Sequence, residues 1–197
     1  MSVAANMPAR NVKGNVQAQD KILYVANKLG LSSLKYMQAT TRVVYDQNTT
    51  AATQHTLFEG AAGRSFPLTN LGANGNQFQV DEALLVEKIA FFVPTGDGGD
   101  NFVAINNRSY KFDLIIGNKT VMKDVVVEAA GQQAFYTEGT AASQVIDLEG
   151  VGILIPPQVE FKVVVKTLVT DSRAADTSRV GCYLFGTGVL LNFNTSI

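Results

Sequence analysis

Tryptophan is absent from the 197 residues, and cysteine and histidine occur once each, as Cys182 and His55. A single cysteine excludes an intramolecular disulfide framework. One cysteine and one histidine also leave most of the ligands of a zinc site missing. Charge is sparse: 17% of residues are charged, against roughly a quarter in ordinary globular chains. Partial burial of the outside in an assembly accounts for this, and so does a β-rich chain built on Thr, Asn and Gln. No apolar run reaches the length of a membrane span, and the longest, Ala83–Val93, is broken by Glu87 and Lys88. The first fifteen residues contain no continuous apolar stretch of the kind a secretory leader carries, so synthesis in a cytosol is expected. The N-x-S/T sequons at Asn48, Asn107, Asn118 and Asn194 then carry no weight.

Catalytic signatures are missing as well. The chain has no G-x-S-x-G, no phosphate-binding loop, no H-E-x-x-H and no Cys/His cluster. Asp81 and Glu82 are neighbours in an extended stretch, where adjacent side chains point to opposite faces, so they do not form an acid/base couple. Gly96–Asn101 offers two aspartates among glycines but lacks the spacing and terminal glutamate of an EF-hand, and reads as a solvated hairpin loop. Cys182 lies in the apolar run Val180–Phe185 and reads as a buried small hydrophobe. Phe66, Phe78, Phe91, Phe92 and Phe102 read as core and subunit contacts rather than a glycan platform, which favours Trp and Tyr. No enzymatic activity, catalytic residue, metal, cofactor or small-molecule substrate is expected.

What is present is mostly alternation. Residues 1–17 are polar and aperiodic and predict a flexible arm. Ile22, Val25, Ala26 and Leu29 then follow helical spacing, predicting a short amphipathic helix over 18–30 with Gly30 as its left-handed cap. Its polar face carries two lysines, and docking against its own or a neighbouring domain suits it better than lying on a membrane. From residue 31 to 197 the period changes to two. Strands are expected at Leu34–Tyr45, His55–Glu59, Gln77–Val80, Ala83–Val93, Ser109–Ile116, Lys119–Glu128, Gln132–Thr137, Gly152–Ile155, Val159–Val169 and Arg179–Phe193. Gly117-Asn118 supplies tight-hairpin chemistry, and Pro156-Pro157 ends one strand and starts another. The last strand is apolar on both faces, without charge or proline from Val180 to Phe193, so it is expected at the centre of a sheet, with Gly186 and Gly188 marking a bulge or a close backbone approach.

Many strands, uneven loops and no interposed helices predict one all-β domain, a sandwich or jelly roll. An immunoglobulin-type domain would be shorter and would want a core Trp. Charge is uneven: residues 1–50 hold six Lys/Arg and two acids, the remainder ten and fifteen, so a mildly basic arm precedes an acidic body.

The segments Phe58–Leu71, Asn76–Val80 and Ala83–Phe92, with the Tyr110–Glu128 hairpin, the kinked Gly152–Val165 pair and the Gly-containing Val180–Phe193 strand, resemble jelly-roll capsid proteins of tailless icosahedral bacteriophages, of broadly tectivirus- and adenovirus-like architecture. The resemblance lies in strand order and texture over about Thr56 to Phe193. It implies a single antiparallel barrel that self-associates into an icosahedral shell, where such proteins often carry two barrels. It also implies a virion location, and as partners copies of the chain and other virion proteins. An inward-facing basic arm with Arg10, Lys13, Lys21 and Lys28 would meet an internal membrane or the genome. The alternative is a fibre, vertex or decoration protein whose β-sandwich head binds a receptor or glycan.

Overall fold

A computed structural model describes residues 9–31, 37–48, 52–60, 64–71, 76–93, 110–126, 134–135, 142–148, 152–167 and 180–191. Among these residues one helix, α1 (Ala9–Leu29), precedes ten strands: β1 (Gln38–Asn48), β2 (Gln54–Leu57), β3 (Glu82–Val93), β4 (Tyr110–Ile116), β5 (Lys119–Val126), β6 (Ala134–Phe135), β7 (Ala142–Asp147), β8 (Ile153–Ile155), β9 (Phe161–Thr167) and β10 (Val180–Leu190). The strands form two antiparallel sheets, so the chain is an all-β sandwich with a helix on one outer face. The larger sheet runs β1-β10-β3-β7-β6 with β8 also on β3, and the smaller runs β2-β9-β4-β5. The pairing is nested: β1 meets β10, β2 meets β9, β3 meets β7 and β8, and β4 meets β5.

Period-two sequence produces the core directly. Phe112 and Leu114 on β4, Phe161, Val163 and Val165 on β9, and Leu84, Val86, Ile89 and Phe91 on β3 meet between the sheets with almost no exposure. Each such side chain contributes roughly 1.5–3 kcal/mol. Phe91 lies 4.6 Å from Phe112, centroid to centroid, an aromatic pair that bridges the two sheets, while Phe58 lies 5.1 Å from Phe161 on the smaller sheet's side of the core. β10 is the central strand that its apolar faces predict, flanked by β1 and β3, with Val180, Cys182 and Leu184 in the core.

The expected bulge is also there. The β10–β3 register slips between Phe185 and Gly186, so that Phe185 faces Lys88 while Gly186 faces Val86. Glu87 is the extra residue. In a regular strand one of two adjacent charges, Glu87 or Lys88, would point into the core. The bulge lets both face outward, where they find Lys21 and Asp147. It also brings backbones together: a Cβ on Gly186 would stand 1.9 Å from the Leu85 carbonyl oxygen. At the Gly117-Asn118 hairpin, Gly117 takes a φ of +57°, the left-handed conformation that favours glycine.

Three expectations need correction. The helix starts at Ala9, not Ala18, so half of the expected flexible arm is helical; Asn11, Gly14 and Asn15 are poor helix formers and conceal this. Gln77–Val80 is no strand: Phe78 is buried by stacking on Phe161 at 5.4 Å, and its carbonyl accepts from Gln158 N–H in an irregular segment. β7 was not foreseen, because Ala142-Ser-Gln-Val-Ile-Asp147 carries little alternation, and its pairing with β3 holds it. The Gly96–Asn101 and Thr170–Ser178 loops, and Phe102, lie outside the described residues.

Candidate functional site

The chemistry-bearing side chains fall into structural clusters on surfaces of the sandwich. The first is the outer face of the larger sheet. Val25 of α1 is fully buried against Ala83, Leu85 and Val189, with Leu29, Met37, Leu154 and Leu191 at its margin. β3 therefore buries both faces: Leu84 and Val86 toward the sandwich, Ala83 and Leu85 toward the helix. Beside this seam Lys21 Nζ reaches Glu87 at 2.5 Å and donates to Thr187 Oγ1 at 3.3 Å, while Thr187 donates to Glu87 at 3.1 Å. A cleft of about 400 Å³ runs between helix and sheet, lined by Asp20, Lys21, Tyr24, Leu85, Glu87 and Lys88 among others. On the outward side of the helix Leu23 is 46% exposed and Lys28 stands 5.6 Å from the Tyr24 ring centroid.

Of the four basic residues expected in an inward-facing arm, two have described side chains. Lys21 is engaged by its own sheet, and Lys28 lies outward over Tyr24. Arg10 and Lys13 lie in the N-terminal half of α1; their side chains are outside the described residues.

The second cluster is a buried ionic pin at one corner. Asp46 of β1 accepts from Arg64 Nε at 3.0 Å and Nη2 at 2.5 Å, and from the Phe58 N–H at 2.5 Å. Arg64 also donates to the Thr56 carbonyl. Both side chains are largely withdrawn from water, so the pair holds the two sheets together through charge-assisted bonds. Alongside it the 69–70 segment serves as a substitute strand for the edge of β1. Asn70 Nδ2 donates to the Val43 carbonyl at 2.7 Å, its Oδ1 accepts from Tyr45 N–H at 2.9 Å, and Thr69 Oγ1 donates to the Tyr45 carbonyl.

The third is a charge ladder on the outer face of the smaller sheet. Lys111 of β4 faces Lys166 of β9 directly, a like-charge pair that alone would be destabilising. Asp113 and Asp124 separate them. Asp113 pairs with Lys166 and accepts from Asp124 N–H at 2.6 Å; Asp124 pairs with Lys111 at 2.7 Å. Burial pushes the Asp113 carboxyl up, but the Asp124 N–H and the Lys166 ammonium outweigh it and hold it below the ordinary carboxylate value. The hydrogen bond from Lys111 holds Asp124 low, and the one to Asp113 raises Lys166. Every member is satisfied by another, so the ladder is architectural.

At one end of the sandwich a depression of about 350 Å³ is lined by Glu59, Asn76, Asn118, Glu160 and Lys162, with Phe58 and Phe161 at its floor. Those two rings are fully or nearly fully buried and offer no face for stacking. Cys182 is fully buried, and burial, reinforced by Asp46, pushes its thiol well above the usual value. A thiol so disposed is no nucleophile at neutral pH. His55 is buried as well. Among the described residues no group of three His, Cys, Asp or Glu side chains could hold a metal. No family model matches the chain, and no curated protein matches it.

Proposed function

We propose that the chain is a structural subunit, a single jelly-roll barrel that self-assembles into the icosahedral shell of a virion, with no catalytic role. The observation that carries the reading is the nested strand pairing. Taking β7 and β8 as one pass beside β3, with β6 added antiparallel on the far side of β7, first pairs with last, second with second-last, and so inward to the β4–β5 hairpin. That is the order produced by rolling one long antiparallel hairpin into two sheets, the plan of the jelly roll. In such a role function is geometry, identical surfaces meeting by symmetry. The side-chain chemistry agrees: the ionic clusters are spent on holding strands together, and the one thiol is sequestered. The partners are then copies of the chain and other virion proteins, and the N-terminal half of α1, with Arg10 and Lys13, is the element available to an internal membrane or genome.

The polar depression around Glu59, Asn118 and Glu160 favours a second reading, a fibre or decoration head that takes a glycan. The buried floor rings weigh against it. Purified protein examined by electron microscopy and light scattering separates the two: closed particles of many copies support a shell, whereas small oligomers that bind saccharide support a head.

A further inference from the structure

The two ends of the β1 edge are treated differently. β1 pairs on one side with β10 in unbroken register from Gln38↔Leu190 to Asn48↔Val180. Among the described residues its other side is a sheet edge. The bonds from Asn70 and Thr69 show that Val43 and Tyr45 direct their peptide groups outward. By the alternation of an antiparallel ladder, Ala39 and Thr41 direct theirs outward too. At the Val43–Tyr45 end the Val43 carbonyl and both peptide groups of Tyr45 are satisfied by the chain's own Thr69 and Asn70. At the Ala39–Thr41 end the bond on the outward side is a local one, from Thr40 Oγ1 to the Thr41 carbonyl at 3.5 Å. Gln38, Thr40 and Thr41 are exposed.

Edge strands are ordinarily blunted by lysine, proline or a bulge. One of the two edge strands of the smaller sheet shows this: β5 carries Lys119 and Lys123, and the β4–β5 register breaks beside Asp124, whose φ is +50°. Gln38-Ala-Thr-Thr41 has no such device. It is neutral and rich in β-branched residues, and the next residue, Arg42, is tied to its own Glu82 at 3.1 Å. A neutral segment meets its own copy without charge conflict.

We propose that the Gln38–Arg42 edge is a strand-addition site for the same segment of a second copy, joining two larger sheets across a two-fold axis. The register follows from the outward groups. Ala39 of one copy exchanges both backbone bonds with Thr41 of the other, and Thr41 with Ala39, giving four hydrogen bonds. Thr40 faces Thr40 on the axis as the non-hydrogen-bonded pair. Asn70 ends the ladder on each side, because beyond Arg42 the edge is already occupied. The contact is short, so it works as one of several interfaces in a larger assembly. It rests on the self-assembling reading above.

The test uses the full chain as it assembles. Opposed residues of a non-hydrogen-bonded pair have Cα atoms about 4.5 Å apart, within disulfide reach, whereas diagonal residues are about 7–8 Å apart, beyond it. Thr40→Cys under mild oxidation is expected to convert the monomer band on a non-reducing gel to a dimer that a reductant reverses. Thr41→Cys and the wild type, whose Cys182 is buried, are expected to stay monomeric on the gel. Thr41→Pro removes an outward N–H that the β10 ladder does not use, and is expected to abolish the cross-link when combined with Thr40→Cys while leaving the melting temperature unchanged. Equal cross-linking at positions 40 and 41, or none at 40, overturns the proposal. Shells without the cross-link overturn the edge contact alone; cross-linked dimers without shells uphold it and remove the shell reading.

Discussion

At the residue scale, burial and pairing decide which side chains matter. Leu184 is fully buried between two strands and two sheets. Leu184→Asp places an unpaired charge there and is expected to cost several kcal/mol or more, roughly the stability of a whole domain. Cys182→Ser at the neighbouring inward position is expected to cost only about 1–3 kcal/mol and to leave assembly intact, because the thiol does no chemistry. Thermal melts and particle yield of both variants check this pair; a soluble, assembling Leu184→Asp protein would contradict the placement of β10. Arg64→Met tests the corner pin. It leaves Asp46 buried with only the Phe58 N–H among the donors described above, and losing one partner of a buried pair costs about 3–5 kcal/mol. A melting temperature within a degree of wild type would show that the pin contributes nothing. The sequence disclosed Leu184 and Cys182 through plain alternation and Gly186 through its position in an otherwise apolar strand. It did not disclose Asp46–Arg64, because a pair separated by 18 residues carries no periodicity and becomes visible only when the corner closes.

At the scale of elements, strands with strong alternation were legible and those held by their neighbours were not. β3, β4, β9 and β10 fall within about two residues of expectation at most ends, whereas β7 owes its existence to β3 and Gln77–Val80 lost its strand character to the burial of Phe78. The helix was legible only where it touches the sheet, from Lys21 to Leu29; the preceding turns have no apolar stripe matched to a described surface. This division gives a prediction. Removing residues 1–17 keeps the Lys21, Val25 and Leu29 contacts, so the melting temperature is expected to shift by less than about 2–4 °C, the effect of a single kcal/mol, while assembly is impaired. A large loss of thermal stability with normal assembly would reverse the assignment. The charge ladder gives a second. Asp113 and Asp124 titrate below their unfolded values, so their contribution is present above the ordinary carboxylate pKa of about 4 and is lost as pH falls through the lowered folded values. Lys166 is raised, so its contribution is full below its unfolded pKa and is lost as pH climbs past the folded one. Melting temperature against pH is expected to fall in acid for the wild type and to fall less steeply for Asp113→Asn. Parallel acid limbs for the two proteins would contradict a stabilising role for the ladder.

At the scale of the molecule, the sandwich was legible because period two recurs along most of the chain, and the nested order was not, because no residue pattern states which strand meets which. That order carries the functional reading, and the outer surfaces of the sandwich give it material. α1 covers one sheet face, Leu23 and Phe66 present apolar surface outward, and among the described residues no strand pairs with the outer edge of β1 at Gln38–Arg42. A sandwich whose ionic clusters are closed on themselves and whose outside keeps apolar and edge surface is suited to the proposed role of meeting copies of itself. The most direct test is the mass of what the purified full-length chain forms, read by multi-angle light scattering and negative-stain microscopy under conditions that favour association. Closed particles containing many copies are the predicted result; a chain that stays monomeric or trimeric at every concentration and salt tested, with or without Thr40→Cys cross-linking, would contradict the account.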